Sequence, residues 1–160
     1  MLAPIFKEKG FNKRKLSWYG EFDETIVMVH WRARSSQSIL FHIEATVIFK
    51  AVAGVVDVRK LGFYDGHIRF KVELLANDVG VFRKLLYLPD SDTDEKVKEK
   101  LTRMSELVRS AVIPWLSKLG TLNGVREMLS YIDLLKQKSE RSCVMIYREG
   151  RQVLENRRIE

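Results

Sequence analysis

A two-residue hydrophobic alternation between Ile39 and Ala51 constrains the fold of this chain more than any other feature. Apolar residues occupy every odd position of the segment, whereas polar residues such as His42, Glu44 and Thr46 stand at even positions. Because successive side chains of a β-strand point to opposite faces, this pattern predicts a long strand with one apolar and one polar face. We therefore expect a covering layer on the apolar side and solvent on the polar side.

Shorter period-two segments predict an antiparallel sheet of about five or six strands around this strand. Asp23 and Glu24 supply a polar link for the first hairpin, and Asp65 with Gly66 supplies the backbone freedom that a tight turn needs. The predicted strands, in chain order, are Leu16–Phe22, Val27–Ala33, Ile39–Ala51, Val55–Leu61, Ile68–Leu74 and Val81–Leu88.

From Asp92 onwards the hydrophobic period becomes helical. Asp92 can cap a helix with Glu95 three residues later, and apolar residues then follow at spacings of three and four. Pro114 cannot donate a backbone hydrogen bond, so it should kink or end this helix near Ile113. A second helix is predicted from Thr121.

The two ends of the chain are less regular. Leu2–Gly10 predicts a short opening helix, and the tail from Ser139 combines a strand-like segment with a helix-like one, for which we favour helix. Most predicted strands precede the predicted helices along the chain. This order predicts an α+β fold with a short N-terminal helix and C-terminal helices packed on one face of the sheet. No repeat or linker divides the sequence, so we expect a single domain over residues 1–160.

Composition indicates the cellular compartment and the classes of partner. The 160 residues carry a net charge of +7, which favours an acidic protein surface or nucleic acid as partner. Cys143 is the only cysteine, so no internal disulfide can form and a reducing compartment is indicated. The sequence shows no secretory signal and no apolar stretch of the roughly 20 residues that a membrane span needs. We expect a cytoplasmic protein that does not bind membranes.

The order of the elements resembles an uncharacterised bacterial family, the domain of unknown function 4304. The similarity rests on the opening Lys9-Gly10-Phe11, on Phe41-His42-Ile43-Glu44 in the central strand, on Ile68-Arg69-Phe70-Lys71 in a later basic strand, and on Ile113-Pro114-Trp115-Leu116 in a helix. The resemblance covers roughly residues 1–135. The resemblance implies an antiparallel sheet with helices and no known activity.

Catalytic motifs are absent from the sequence: it has no glycine-rich phosphate loop, no nucleophile-elbow serine and no zinc-binding His-Glu pair. We therefore lean against an enzyme and expect no cofactor and no metal. His30, His42 and His67 could converge with Glu44 in an acid–base cluster, but no ligand spacing supports a metal there. The sequence leaves three functions open, and an enzyme that uses these histidines with Glu44 is one of them.

The function we favour is a non-enzymatic interaction domain, of the adaptor or immunity-protein kind, that presents its polar sheet face or a basic edge to an acidic protein. Its expected contact residues alternate outward on neighbouring strands: Arg32, His42, Glu44, Arg69 and Lys71.

The second function left open is nucleic-acid binding through the basic N-terminal region. Lys13, Arg14 and Lys15 could contact phosphates there, and Trp18 and Tyr19 could stack on bases. The oligomeric state is not readable from these patterns.

Overall fold

A six-stranded antiparallel sheet organises the chain, and its strands lie side by side in the order in which they occur in the sequence. The structure is a computed structural model that describes residues 2–33, 40–54, 57–136 and 144–156. The helices and strands in these ranges are α1 (Leu2–Glu8), β1 (Asn12–Arg14), β2 (Ser17–Glu21), β3 (Thr25–Ala33), β4 (Phe41–Phe49), α2 (Lys50–Ala53), β5 (Ile68–Lys71), α3 (Val79–Leu85), α4 (Asp94–Leu107), α5 (Ile113–Lys118), α6 (Leu122–Lys136), β6 (Val144–Ile146) and α7 (Arg148–Asn156).

The odd-numbered face of β4 lies in the main core, as predicted. Ile43, Ala45, Val47 and Phe49 are each at most 1% exposed, and they pack in one cluster with side chains from α1, α4, α5 and α6. The helices therefore cover the apolar face of the sheet, and the α+β class with a short N-terminal helix and C-terminal helices is confirmed.

The even-numbered face of β4 is only partly open, which corrects the expectation of solvent along the whole strand. Thr46 is fully buried, because the chain crosses the sheet above it so closely that a Cβ on Gly66 would lie 2.1 Å from Thr46 Cγ2. Ile48 belongs to a second apolar cluster with Met28 and Leu61. The crossing segment thus hides one half of this face, and only the other half meets water.

The hairpin between β2 and β3 is tied to the helical layer. The Glu24 carboxylate accepts the backbone N–H of Leu122 at 2.8 Å and so caps the first turn of α6. Thr25 Oγ1 donates to the Leu119 carbonyl at 2.6 Å, and Thr25 is fully buried. A carboxylate at a helix N-terminus satisfies free N–H groups and the helix dipole, so this contact fixes α6 against the sheet.

The prediction of a strand over Val81–Leu88 is wrong. Val79–Leu85 forms helix α3, which begins where the Asp78 side chain accepts the Val81 N–H at 2.9 Å. Phe82 and Leu85 are buried three residues apart, which is helical rather than strand spacing. The cap and this spacing outweigh the strand preference of the valines.

Other boundaries also differ from the expectations. Thr93, rather than Asp92, caps α4, and the Asp92 carboxylate instead binds Lys96 and Lys100. The expected interruption near Ile113 is present as a π-helical turn over Val108–Val112.

The segment Val55–Leu61 and the tail from Ser139 also differ from the predictions. The arm Val55–Leu61 contains a 3₁₀ turn over Val58–Lys60 rather than a strand, with residues 55 and 56 outside the described ranges. The tail holds both elements, strand β6 and helix α7, so the preference for helix alone is wrong. Residues 137–143 and 157–160 lie outside the described ranges.

Candidate partner-binding site

The sheet register brings the five predicted contact residues into one group on the open half of the even-numbered face. Arg32 on β3 lies opposite His42 on β4, and Glu44 on β4 lies opposite Lys71 on β5. Arg69 lies opposite Thr46, one pair further along the same strands. All five are partly exposed. We call this group, together with Tyr64, the polar patch.

Tyr64 joins the patch from the crossing segment and was not among the predicted contact residues. Its hydroxyl accepts a hydrogen bond from Arg32 Nη1 at 2.9 Å, and the residue remains 66% exposed. An aromatic residue just before a basic strand was the available clue, because arginine side chains pack readily on aromatic faces.

Ion-pair and ring contacts hold the two arginines of the patch in place. Arg32 Nη1 lies 3.6 Å from Glu44 Oε2. The Arg69 guanidinium lies 5.0 Å from the ring centroids of both Tyr64 and Tyr147. An arginine held this way loses less side-chain entropy on binding than a free one, so the patch is preorganised.

Electrostatically the polar patch is basic. Three cationic side chains, Arg32, Arg69 and Lys71, face one carboxylate, Glu44, which leaves a net charge of +2 before any histidine is protonated. Both groups of the Arg32–Glu44 pair are partly solvated, with side-chain exposures of 42% and 25%. Partly exposed charges are screened less by water and salt than fully exposed ones, so they interact more strongly with charges on a partner.

Two of the three histidines belong to this side of the sheet, and the third does not. His30 lies opposite Glu44, with Ser17 Oγ 2.5 Å from its Nδ1, and burial followed by the charge of Arg32 lowers the pKa of His30. His42 is the next even position along β4. His67 instead uses Nδ1 to accept the backbone N–H of Phe49 at 2.9 Å.

The three histidines, which could have converged with Glu44, are therefore not brought together in one cluster. His67 stacks against Phe49, whose side chain lies in the main core, and its imidazole serves as a structural acceptor. Within the described ranges, no group of three or more histidine, cysteine, aspartate and glutamate side chains could hold a metal ion. The sole cysteine, Cys143, lies outside those ranges.

The N-terminal residues predicted to bind nucleic acid are divided between surface and core. Lys13, Arg14 and Lys15 are exposed on and after β1. Trp18 is 7% exposed and its ring stacks on Phe6 at a centroid distance of 4.8 Å, so it packs in the core.

Tyr19 and Arg14 also have contacts within the protein. Tyr19 packs on the second apolar cluster, and Arg14 Nη1 donates to the Leu61 carbonyl at 3.3 Å. The aromatic residues that base stacking would need are thus occupied, and cationic side chains remain at this surface.

Comparison with known proteins assigns the chain to a family. The model of the domain of unknown function 4304 (DUF4304) matches residues 2–118, which include β1 to β5 and the whole polar patch. Tyr147, which contacts Arg69, lies outside the matched residues. The chain belongs to this family. Searches of curated proteins and of solved structures found no match. In the described parts of the chain, none of the helices has the length and apolar character that crossing a membrane requires.

Proposed function

We propose that this protein is a non-enzymatic interaction domain that binds an acidic protein surface through the polar patch. The observation that carries the proposal is the packing of Arg32 and Arg69 against the exposed Tyr64, with Lys71 on the same face, opposite Glu44. Arginine and tyrosine are the residue types that contribute most to binding at protein interfaces. The same composition suits carboxylates, because arginine donates to them in a bidentate manner.

The form of the patch also favours a protein partner over a small substrate. It lies on an open sheet face, whereas small-molecule sites are concave and mostly apolar. The nearby histidines do not form a cluster with His67, so the proposed enzyme site loses one of its members. We expect the protein to bind its partner in the cytosol, since the single cysteine suits a reducing compartment.

The test is capture of partners from an extract of the cells that make the protein. Lys71→Glu removes a patch cation without touching the packed Arg69, and it should reduce capture at least about tenfold. The double variant Arg69→Glu with Lys71→Glu should abolish capture, although it also removes the contacts of Arg69 with Tyr64 and Tyr147. Circular dichroism and urea unfolding establish that each variant remains folded.

Lys84→Glu is the matched control. Lys84 is exposed on α3, outside the patch, and its reversal changes the net charge by the same amount. Capture by this control should equal that of the wild type. Equal capture by folded Lys71→Glu and wild-type protein would remove the proposal.

Nucleic-acid binding is the second proposal, supported by the exposed cations Lys13, Arg14 and Lys15. Nuclease treatment of the extract separates it from the first, because nuclease-sensitive capture indicates nucleic acid. A direct assay with random DNA and RNA should then show affinity that falls steeply with salt and is lost in Lys13→Glu with Lys15→Glu. Absence of retention at low salt would eliminate it.

A further inference from the structure

The link between β1 and β2 exposes an apolar side chain in a strained turn. Arg14 pairs with Ser17, so only Lys15 and Leu16 connect the strands. Lys15 has a φ of 53°, in the left-handed region that glycine or asparagine usually occupies in such turns. Leu16, at the tip, is 62% exposed. A non-glycine residue in this region is strained, and such strain concentrates at functional sites.

Leu16 forms one side of an apolar groove of about 290 Å³. Trp31 on β3 and Leu101 and Met104 on α4 line it together with Trp18. Among the described residues, the charged side chains in its lining are those of Lys13 and Lys15, and none of these lining residues is an aspartate or glutamate. The groove is thus apolar inside and cationic at its side.

A neighbouring depression has the same character. It shares Lys13 and Trp18 with the groove and adds Lys7, and the part of its lining that the structure describes again contains no carboxylate. Trp18, which lies between the two, has a buried indole Nε1 without an acceptor among the described residues. A buried donor without a partner destabilises a fold and is uncommon in native proteins.

We propose that this groove binds a single-chain anionic amphiphile, with its aliphatic chain against Leu16, Trp31 and Leu101 and its carboxylate between Lys13 and Lys15. The apolar lining excludes a strongly polar ligand, and the two lysines favour an anion over a neutral or cationic head group. The volume lies just below the roughly 300–1,000 Å³ usual for ligand pockets, which suits one chain of about ten carbons. This site is separate from the polar patch and does not depend on its function.

Titration with decanoate, followed by tryptophan fluorescence, tests the site. Trp18 and Trp31 line the groove, whereas Trp115 stacks on Tyr131 elsewhere. A Trp115→Phe background therefore confines the signal to the groove. Decanoate, kept below its micelle concentration, should give a saturable change with one ligand per chain. 1-Decanol, which has the same chain without the charge, should bind at least about tenfold more weakly.

Three variants assign the binding to this place. Lys13→Glu with Lys15→Glu should weaken decanoate at least about tenfold while changing 1-decanol little. Leu16→Ser should weaken both ligands and leave the fold intact, since Leu16 is largely exposed. The matched control is Lys84→Glu with Arg109→Glu, two exposed cations outside the groove, and it should bind decanoate as the wild type does.

Three results would overturn the proposal. One is the absence of a saturable response up to about 1 mM decanoate. Another is equal affinity for decanoate and 1-decanol, which would remove the contribution of the lysines. The third is decanoate affinity that survives Lys13→Glu with Lys15→Glu but falls in Lys71→Glu, which would place the ligand on the polar patch.

Discussion

Removing the His67 imidazole is expected to lower the free energy of unfolding by about 2 kcal/mol. His67 Nδ1 accepts the backbone N–H of Phe49 at 2.9 Å, and the Phe49 side chain is fully buried. In His67→Ala that partly buried N–H loses its acceptor, and an unsatisfied donor shielded from water costs about 1–3 kcal/mol. His67→Asn can place its side-chain oxygen near the position of Nδ1, so it should recover about half of the loss.

The same hydrogen bond predicts the direction of the pH dependence. Burial lowers the pKa of His67 from its ordinary value, because the charged ring is poorly solvated and Nδ1 accepts only while unprotonated. Between that lowered pKa and about 6.5, the unfolded chain binds more protons than the folded one. Stability is therefore complete above about pH 6.5 and is lost as the pH falls below it. The lowered pKa of His30 acts in the same direction.

Urea unfolding at pH 7.5 and pH 5.5 measures both effects. The wild type should lose stability between these two values, and His67→Asn should lose less, retaining the share that belongs to His30. Equal stability of His67→Ala and the wild type at pH 7.5, or a pH dependence unchanged in His67→Asn, would refute the reasoning.

Two further substitutions test packing and buried charge. Gly124→Ala should destabilise the protein by about 1–3 kcal/mol, because its Cβ would lie 1.9 Å from the Lys118 carbonyl oxygen, although the same change in an open helix usually stabilises; a higher melting temperature would contradict this. Arg83→Met should cost about 1–3 kcal/mol in urea unfolding, because the Glu73 carboxylate is 1% exposed and would lose its 3.2 Å contact with Arg83 Nε. Adding Glu73→Gln to it should restore more than half of that loss, and no restoration would argue against the ion pair.

Local periodicity was sufficient for the central strands and the long helices. The alternation from Ile39 onwards predicted which residues of β4 enter the core, because every odd position is apolar and the odd face is the covered one. It also predicted that Arg32, His42 and Glu44 share a face, since a shared parity and antiparallel pairing bring them together.

Long-range contacts account for what the sequence did not predict. The burial of Thr46 depends on Gly66 crossing above it, which no local pattern reports. The entry of Tyr64 into the polar patch depends on the same crossing and on its contact with Arg32. The packing of Trp18 against Phe6, rather than outwards, depends on where α1 folds back.

Photo-crosslinking from position 64 tests the partner-binding claim most directly. A photoreactive phenylalanine in place of Tyr64 lies at the centre of the polar patch, and the same residue in place of Tyr87, which is 44% exposed on another part of the chain, is the matched control. We expect a protein crosslink from position 64 that is reduced by Lys71→Glu and that position 87 does not give. Equal crosslinking from both positions, or a product from position 64 that Lys71→Glu leaves unchanged, would contradict the assignment.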